Sequence, residues 1–149
     1  MFNDLMRLLK GPEPPHRPDL RLSVAVLLLE AARQDDAFDP RERTVIETLL
    51  TRRFNLAPAE CALLMAAGEK TTTYIVGLYS HTSEITGQMT PDDRLALVEM
   101  LWEVAYADGV LDPEEDLLVR RVAGLIYVTD RDRVLARQRV AARMGQRQA

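Results

Sequence analysis

The chain has 149 residues, enough for one domain with a sizeable core, and its composition, 47% hydrophobic and 28% charged, is that of a globular protein in water. Its formal net charge of −4 argues against nucleic acid as a partner, because phosphate binding requires a basic surface. The single cysteine, Cys61, excludes an internal disulfide and fits a reducing compartment, so we expect a cytoplasmic protein.

Neither a membrane span nor a signal peptide is predicted. The longest strongly apolar run, Val24 to Leu29, is far shorter than the roughly 20 residues that cross a bilayer. The N-terminal segment lacks the extended apolar region and the small-residue cleavage site of a signal peptide. Membrane association is therefore not favoured.

The N-terminal part of the chain is predicted to be separate from the main domain. Residues 2–10 have the spacing of a short amphipathic helix that docks on the body of the protein. Residues 11–19 hold four of the eight prolines and form a non-helical linker. We therefore divide the chain into an N-terminal helix and linker, 1–18, and an all-helical domain, 19–149.

The first helix of this domain is predicted to lie at its centre. Asp19 is a suitable N-cap for a helix that runs to about Arg33, and the middle of this helix is apolar almost all round. The chain restarts at Asp39, with Pro40 at the first helical position, and continues as an amphipathic helix to about Arg53. The two segments form a helical hairpin.

Five further helices follow. A third helix runs from 59 to about 69, where Gly68 weakens its end, and a fourth begins at Thr72 or Thr73 and ends before Gly87. The last three are predicted over 92–107, 113–126 and 129–143. Because no segment alternates between apolar and polar residues with period two, the sequence predicts a single-domain, all-α bundle of about seven helices.

One pattern occurs twice, at a separation of 73 residues (103 − 30). Residues 30–42 and 103–115 both read E-x-A-x-x-D-x-x-(F/L)-D-P-x-E, and each copy joins an apolar helix to an amphipathic one. A repeat at a fixed offset predicts two related helical hairpins, centred on 20–54 and 92–127. Each hairpin then contains an acidic turn: the first acidic turn is residues 35–39, and the second is residues 108–112.

Helix capping explains part of this pattern. Asp39 and Asp112 are suitable N-caps followed by proline, and Glu42 and Glu115 stand at the third helical position of a capping box. Each cap of this kind stabilises a helix by about 1 kcal/mol. In this interpretation the acidic turns are ordinary connections between helices.

Capping leaves other carboxylates unexplained. Asp35, Asp36 and Asp108 fall at or just past the C-terminal end of a helix, where the helix dipole disfavours negative charge by about 0.3–1 kcal/mol. Clustered carboxylate oxygens suit hard divalent cations such as Ca²⁺, Mg²⁺ or Mn²⁺, and both turns could share one ion if the hairpins pack about a pseudo-twofold axis. The candidate ligands are Asp35, Asp36, Asp39, Glu42, Asp108, Asp112 and Glu115, together with Glu30 and Glu103, which could instead be solvated helix charges.

Several other kinds of site are excluded by the residues that are missing. An EF-hand counted from Asp108 would have Val110 and Val119 at positions that require oxygen ligands. Two histidines and one cysteine cannot build a His/Cys zinc site. The sequence contains no nucleophile elbow, no phosphate-binding glycine loop and no dinucleotide fingerprint, so we expect a non-enzymatic protein.

The repeated pattern resembles that of a known family. Residues 101–115, which end in A-D-G-V-L-D-P-E-E, together with 30–42 and 119–126, resemble the tellurite-resistance TerB family over roughly 20–143. The resemblance implies an internally duplicated all-helical domain, similar also to the N-terminal domain of a DnaJ-like membrane co-chaperone. It further implies divalent metal binding by the acidic turns, in a response to tellurite or other stress. Asp36 stands where the family has glycine, so the first turn departs from the pattern.

Two other functions are compatible with the sequence. In a helical protein-interaction module the acidic turns would be only caps. A protein partner would then bind in a groove between helices or on the basic last helix, which carries Arg131, Arg133, Arg137, Arg139, Arg143 and Arg147. A metal-dependent hydrolase is the third interpretation, for which the sequence offers no nucleophile or oxyanion-binding set.

Overall fold

The computed structural model describes residues 19–33, 39–71, 75–109 and 111–148. Within these ranges the chain forms seven helices and no strand, which confirms the predicted all-α bundle. The predicted N-terminal helix and linker, 1–18, and the predicted start of the fourth helix at Thr72 or Thr73 lie outside them. The helices are α1 (Leu20–Ala32), α2 (Pro40–Phe54), α3 (Pro58–Lys70), α4 (Ile75–Gln88), α5 (Pro91–Ala105), α6 (Pro113–Leu125) and α7 (Asp130–Gln148).

Most of the described helices begin at a residue whose side chain caps the helix. Each capping side chain accepts a hydrogen bond from a backbone N–H two or three residues ahead, which satisfies a donor that the helix itself leaves unpaired. The capping residues are Asp19, Asp39, Thr90, Asp112 and Thr129. α3 begins differently, since Glu60 Oε1 accepts a hydrogen bond from the Ala57 backbone N–H at 2.9 Å.

Two helix ends differ from the prediction. Gly87 lies inside α4, which continues to Gln88, because an exposed glycine weakens a helix without ending it. The helix stops before Thr90, which precedes Pro91 and has the extended conformation that proline imposes on the residue before it. α7 runs to Gln148 rather than ending near Arg143, because Gly145 likewise does not interrupt it.

Gly68 has a packing role that the sequence does not reveal. It is buried in α3, and a Cβ atom at this position would lie 2.7 Å from Cδ1 of Leu29 in α1. Leu29 is itself fully buried, so the side chain has little room to move away. Glycine at position 68 therefore allows α3 to approach α1 closely.

α1 lies at the centre of the bundle, as predicted. Every residue from Ser23 to Leu29 is buried, as are Ala31 and Ala32, and the helix packs against α2, α3, α4, α5 and α6. An all-round apolar helix requires such complete coverage in water. None of the described helices, α1 included, has the length and apolar composition that crossing a membrane would require.

α5 is the second packing centre and contacts α1, α2, α6 and α7. Its Trp102 is 1% exposed, and the indole Nε1 donates a hydrogen bond to the Arg133 carbonyl of α7 at 3.2 Å. The guanidinium of Arg137 lies over the indole ring at 5.9 Å from its centre. Trp102 therefore joins α5 to α7 through apolar, hydrogen-bonding and cation–π contacts.

α2 and α5 run antiparallel, and this arrangement positions the acidic turns. At one end, Arg53 near the end of α2 forms an ion pair with Asp93 at the start of α5, with an N–O distance of 3.5 Å. At the other end, Asp39 and Glu42 at the start of α2 lie close to Asp108, just past the end of α5. These two ends carry acidic residues from the two copies of the repeated pattern.

A buried polar pair connects α1 to α4. Ser23 Oγ and His81 Nδ1 are 3.0 Å apart, and Ser23 and His81 are both buried. Burial lowers the pKa of His81, because the charged imidazolium loses its hydration inside the protein. The native state therefore favours neutral His81, whereas the unfolded chain titrates at the ordinary value of about 6.5.

We predict that the free energy of unfolding falls as the pH is lowered from about 7.5 to about 5.5, because below about 6.5 the unfolded chain binds a proton that native His81 resists. Urea unfolding at several pH values measures this dependence. His81→Gln, which retains hydrogen-bonding capacity without titrating, should flatten the curve in this range. Equal pH dependence in the two proteins would contradict the assignment.

We also predict that Leu28→Ala in α1 lowers the free energy of unfolding by about 2–5 kcal/mol, because it leaves a cavity at a fully buried position. Leu63→Ala is the matched control, since Leu63 is 73% exposed and its replacement should cost less than about 0.5 kcal/mol. Both are measured by chemical denaturation. Similar losses in the two variants would show that α1 is not the packing centre.

Candidate metal centre

The two repeated Asp-Pro pairs form matching helix starts. Asp39 Oδ1 accepts a hydrogen bond from the Arg41 backbone N–H at 2.8 Å, and Asp112 Oδ1 accepts one from the Glu114 N–H at 2.9 Å. Both aspartates have extended backbone conformations, as expected of residues that precede proline. The capping interpretation is thus confirmed for Asp39 and Asp112.

The glutamates that follow are buried. Glu42 is 1% exposed and Glu115 is 0% exposed, although both lie in the first turn of a helix. Carboxylates are among the side chains least often buried completely. The sequence places both residues at a capping position and carries no sign of their burial, which depends on the helices packed around them.

One carboxylate from the second repeat joins two from the first. Asp39, Glu42 and Asp108 each offer an oxygen atom, and these atoms all lie within 4.8 Å of one another. We call these three residues the acidic cluster. Gly109 follows Asp108 with a φ of 86°, the left-handed conformation that glycine adopts readily, and its N–H donates to the Tyr106 carbonyl at 2.9 Å. This turn holds Asp108 beside the start of α2.

Arg41 binds the edge of the acidic cluster. Its Nη2 donates to Asp39 Oδ2 at 2.8 Å, and its Nε lies 3.2–3.3 Å from both carboxylate oxygens. Hydrogen bonds from the side chain and backbone of Arg41 hold the pKa of Asp39 below its usual range. The bond to Asp39 in turn raises the pKa of Arg41, with smaller contributions from the charges of Asp108 and Glu42.

The other predicted ligands lie in different surroundings. Glu103 accepts a hydrogen bond from Arg143 Nη2 at 3.1 Å, so its carboxylate faces α7. Asp112 and Glu115 belong to the start of α6, and Glu30 is a half-buried residue of α1. Among the described residues, the acidic cluster is the one group of three His, Cys, Asp or Glu side chains whose possible ligand atoms are close enough together to hold a metal ion. Asp35 and Asp36 lie outside the described residues.

Part of the basic face of α7 is paired within the protein. Arg139 donates to Glu99 at 2.8 Å and Arg143 donates to Glu103 at 3.1 Å, so two successive turns of α5 and α7 are joined by ion pairs. Both glutamate side chains are mostly shielded from water, at 23% and 15% exposure. These two arginines thus contribute to helix packing.

An open groove of about 740 Å³ lies between α2 and α3, away from the acidic cluster. Most of the surface that lines this groove is apolar, although five of its eight lining residues have polar or charged side chains. Cys61 is one of the lining residues, and it is 6% exposed and belongs to the hydrophobic core. The lining residues are Glu47, Thr48, Thr51, Arg52, Asn55, Pro58, Cys61 and Ala62.

Comparison with known proteins identifies a family that the chain resembles. The family model described as tellurite resistance protein TerB matches residues 21–138, which include the acidic cluster and both copies of the repeated pattern. No curated protein and no solved structure matches the chain.

We predict that Asp112→Ala lowers the free energy of unfolding by about 0.5–2 kcal/mol, because the cap of α6 is lost, whereas Asp112→Asn costs less because asparagine also caps helices. Chemical denaturation in the presence of a chelator compares the two variants without any ion effect. Equal losses would mean that the negative charge of Asp112, rather than its capping bond, stabilises the fold.

Proposed function

The chain belongs to the family of tellurite resistance protein TerB, and on that premise we propose that it is a non-enzymatic module that binds a divalent cation at the acidic cluster. The observation that supports this proposal is that carboxylate oxygens of Asp39, Glu42 and Asp108 lie close together. These residues come from different copies of the repeat, so the site exists only when both halves of the chain are folded together.

The dimensions of the cluster fit a hard cation. Ca²⁺ binds oxygen at about 2.3–2.6 Å, so two oxygen ligands of one ion are at most about 5 Å apart. The three carboxylate oxygens lie within 4.8 Å of one another, which meets this limit. Mg²⁺ requires shorter distances of about 2.0–2.1 Å and would draw the oxygens closer together.

The donor chemistry favours Ca²⁺, Mg²⁺ or Mn²⁺ over Zn²⁺. All three donors are carboxylates, whereas protein zinc sites usually contain histidine or cysteine. His81 is buried against Ser23, and Cys61 packs in the core, so neither joins the cluster. The burial of Glu42 adds to the attraction for a cation, because charges interact more strongly where water is excluded.

The role in the cell that follows from this proposal is a response to tellurite or other stress, in which occupancy of the site changes the stability of the bundle. The ion would bridge α2 to the turn after α5, since these elements supply its ligands. Binding to the folded state alone necessarily stabilises that state. We propose no catalytic step.

A helical protein-interaction module is the alternative function, and the groove between α2 and α3 is the observation that favours it. In that case Asp39 and Asp112 serve as caps, and the partner contacts the walls of the groove. The ion pairs of Arg139 and Arg143 with α5 make the groove a better candidate than the basic face of α7.

Thermal unfolding of chelator-stripped protein, titrated separately with Ca²⁺, Mg²⁺, Mn²⁺ and Zn²⁺, tests the proposal. An ion present at 100 times its Kd adds about 2.7 kcal/mol, which corresponds to a rise of about 5–10 °C in melting temperature for a domain of this size. We expect a saturable rise with at least one of the first three ions. Asp39→Asn/Asp108→Asn should abolish it.

The matched control is Asp92→Asn/Asp116→Asn, which removes the same charge from the first turns of α5 and α6, outside the acidic cluster. This variant should keep the ion-dependent rise. A rise that both double variants lose equally would reflect general charge screening. If no ion stabilises the parent protein, the acidic turns are caps and the interaction module becomes the leading function.

A further inference from the structure

We infer that Arg41 is a tethered counter-ion that a divalent cation has to displace from Asp39 before the acidic cluster can bind it fully. This inference rests on the proposed function and adds a residue that sets the affinity of the site. It starts from the geometry of Asp39, whose two carboxylate oxygens are both engaged by Arg41.

The backbone bond and the side-chain bonds from Arg41 to Asp39 differ in how easily they break. Asp39 Oδ1 accepts the Arg41 backbone N–H, and this bond caps α2 and remains as long as the helix begins there. Asp39 Oδ2 accepts hydrogen bonds from Nη2 at 2.8 Å and from Nε at 3.2 Å, and these bonds, with the longer one from Nε to Oδ1, are lost when the side chain rotates away. Oδ2 is therefore the oxygen that an incoming cation would take over.

The Arg41 side chain is held by the Asp39 carboxylate and is otherwise mostly exposed to water. The side chain is 66% exposed, so rotation into water removes almost no buried contact. An exposed ion pair of this kind is weak, and a guanidinium is readily solvated. In the bound position it places a positive charge at the edge of the cluster, where it opposes a second cation.

The exchange favours ions of higher charge. A monovalent ion that replaced the guanidinium would leave the total charge at the cluster unchanged, whereas a divalent ion raises it by one. The carboxylates of Asp39, Glu42 and Asp108 are therefore better neutralised by a divalent ion than by the arginine. Arg41 thus lowers the affinity for any ion that has to displace it, and a divalent ion gains more from the exchange than a monovalent ion does.

The repeat shows that this arginine is not required by the turn itself. The position equivalent to Arg41 in the second copy is Glu114 (41 + 73), and its backbone N–H donates to Asp112 Oδ1 in the same way. The two helix starts thus share a capping bond and differ in the charge of the side chain that follows. The guanidinium is a feature of the acidic cluster and not of the capping motif.

Calorimetric titration of the full chain, stripped of metal, with Ca²⁺ and with Mn²⁺ tests this inference. Arg41→Gln should bind the ions about three- to tenfold more tightly than the parent, because the competing charge is gone. Arg52→Gln removes the same charge from the last turn of α2 and should leave the Kd unchanged. In the parent protein, the NMR signal of the Arg41 Nε–H should shift as the ion binds.

The outcomes separate this inference from the proposed function. Tighter binding by Arg41→Gln alone, with the Arg41 signal shifting in the parent, supports displacement. Equal Kd values for all three proteins would overturn the role of Arg41 and leave the cation site standing. Absence of binding in all three proteins would overturn both, and tighter binding by both variants would show an effect of net charge instead of displacement.

Discussion

Burial of α1 is the constraint on which the rest of the structure depends. The helix is apolar on all sides, so it has to be enclosed, and five helices pack against it. Enclosure brings the second half of the chain onto the first, with α5 antiparallel to α2 and joined to it by the ion pair between Arg53 and Asp93. The acidic cluster is a consequence of that arrangement, since it needs the start of α2 and the end of α5 side by side.

The same arrangement concentrates charge that local structure would disfavour. Asp108 lies just past the C-terminal end of α5, where the helix dipole is unfavourable for a carboxylate, and Glu42 is buried. Packing of the bundle fixes these groups near Asp39, which is itself held by its capping bond. The position of the Asp39 carboxylate thus follows from local sequence, namely an aspartate cap followed by proline at the first helical position. The groups that surround this carboxylate come from helices that are distant in the sequence. The proposed cation and Arg41 are two ways of balancing the resulting charge.

Local features of the fold could be predicted from the sequence, and features that depend on pairs of helices could not. Asp39-Pro40 and Thr90-Pro91 fix helix starts through residues within one turn, and the apolar run around Leu27 identifies the buried helix. The burial of Glu42 and the bond between Glu103 and Arg143 require knowledge of which helices meet. The repeat suggests that the two turns could share an ion, and the structure brings Asp39, Glu42 and Asp108 together. The repeat does not predict that Arg41 binds to the acidic cluster, because the residue at the equivalent position in the second copy is Glu114.

The central position of α1 has a consequence for how the chain folds as it is made. α1 lies near residue 20, whereas α5 and α6, which help to enclose it, end at residues 105 and 125. At about 5–20 residues per second, synthesis leaves an interval on the order of several seconds in which the most apolar helix has emerged and only its earlier neighbours are present to cover it. The nascent chain therefore exposes apolar surface of α1 until the second half of the chain has been synthesised. A chain shortened within that second half would aggregate rather than form a smaller domain.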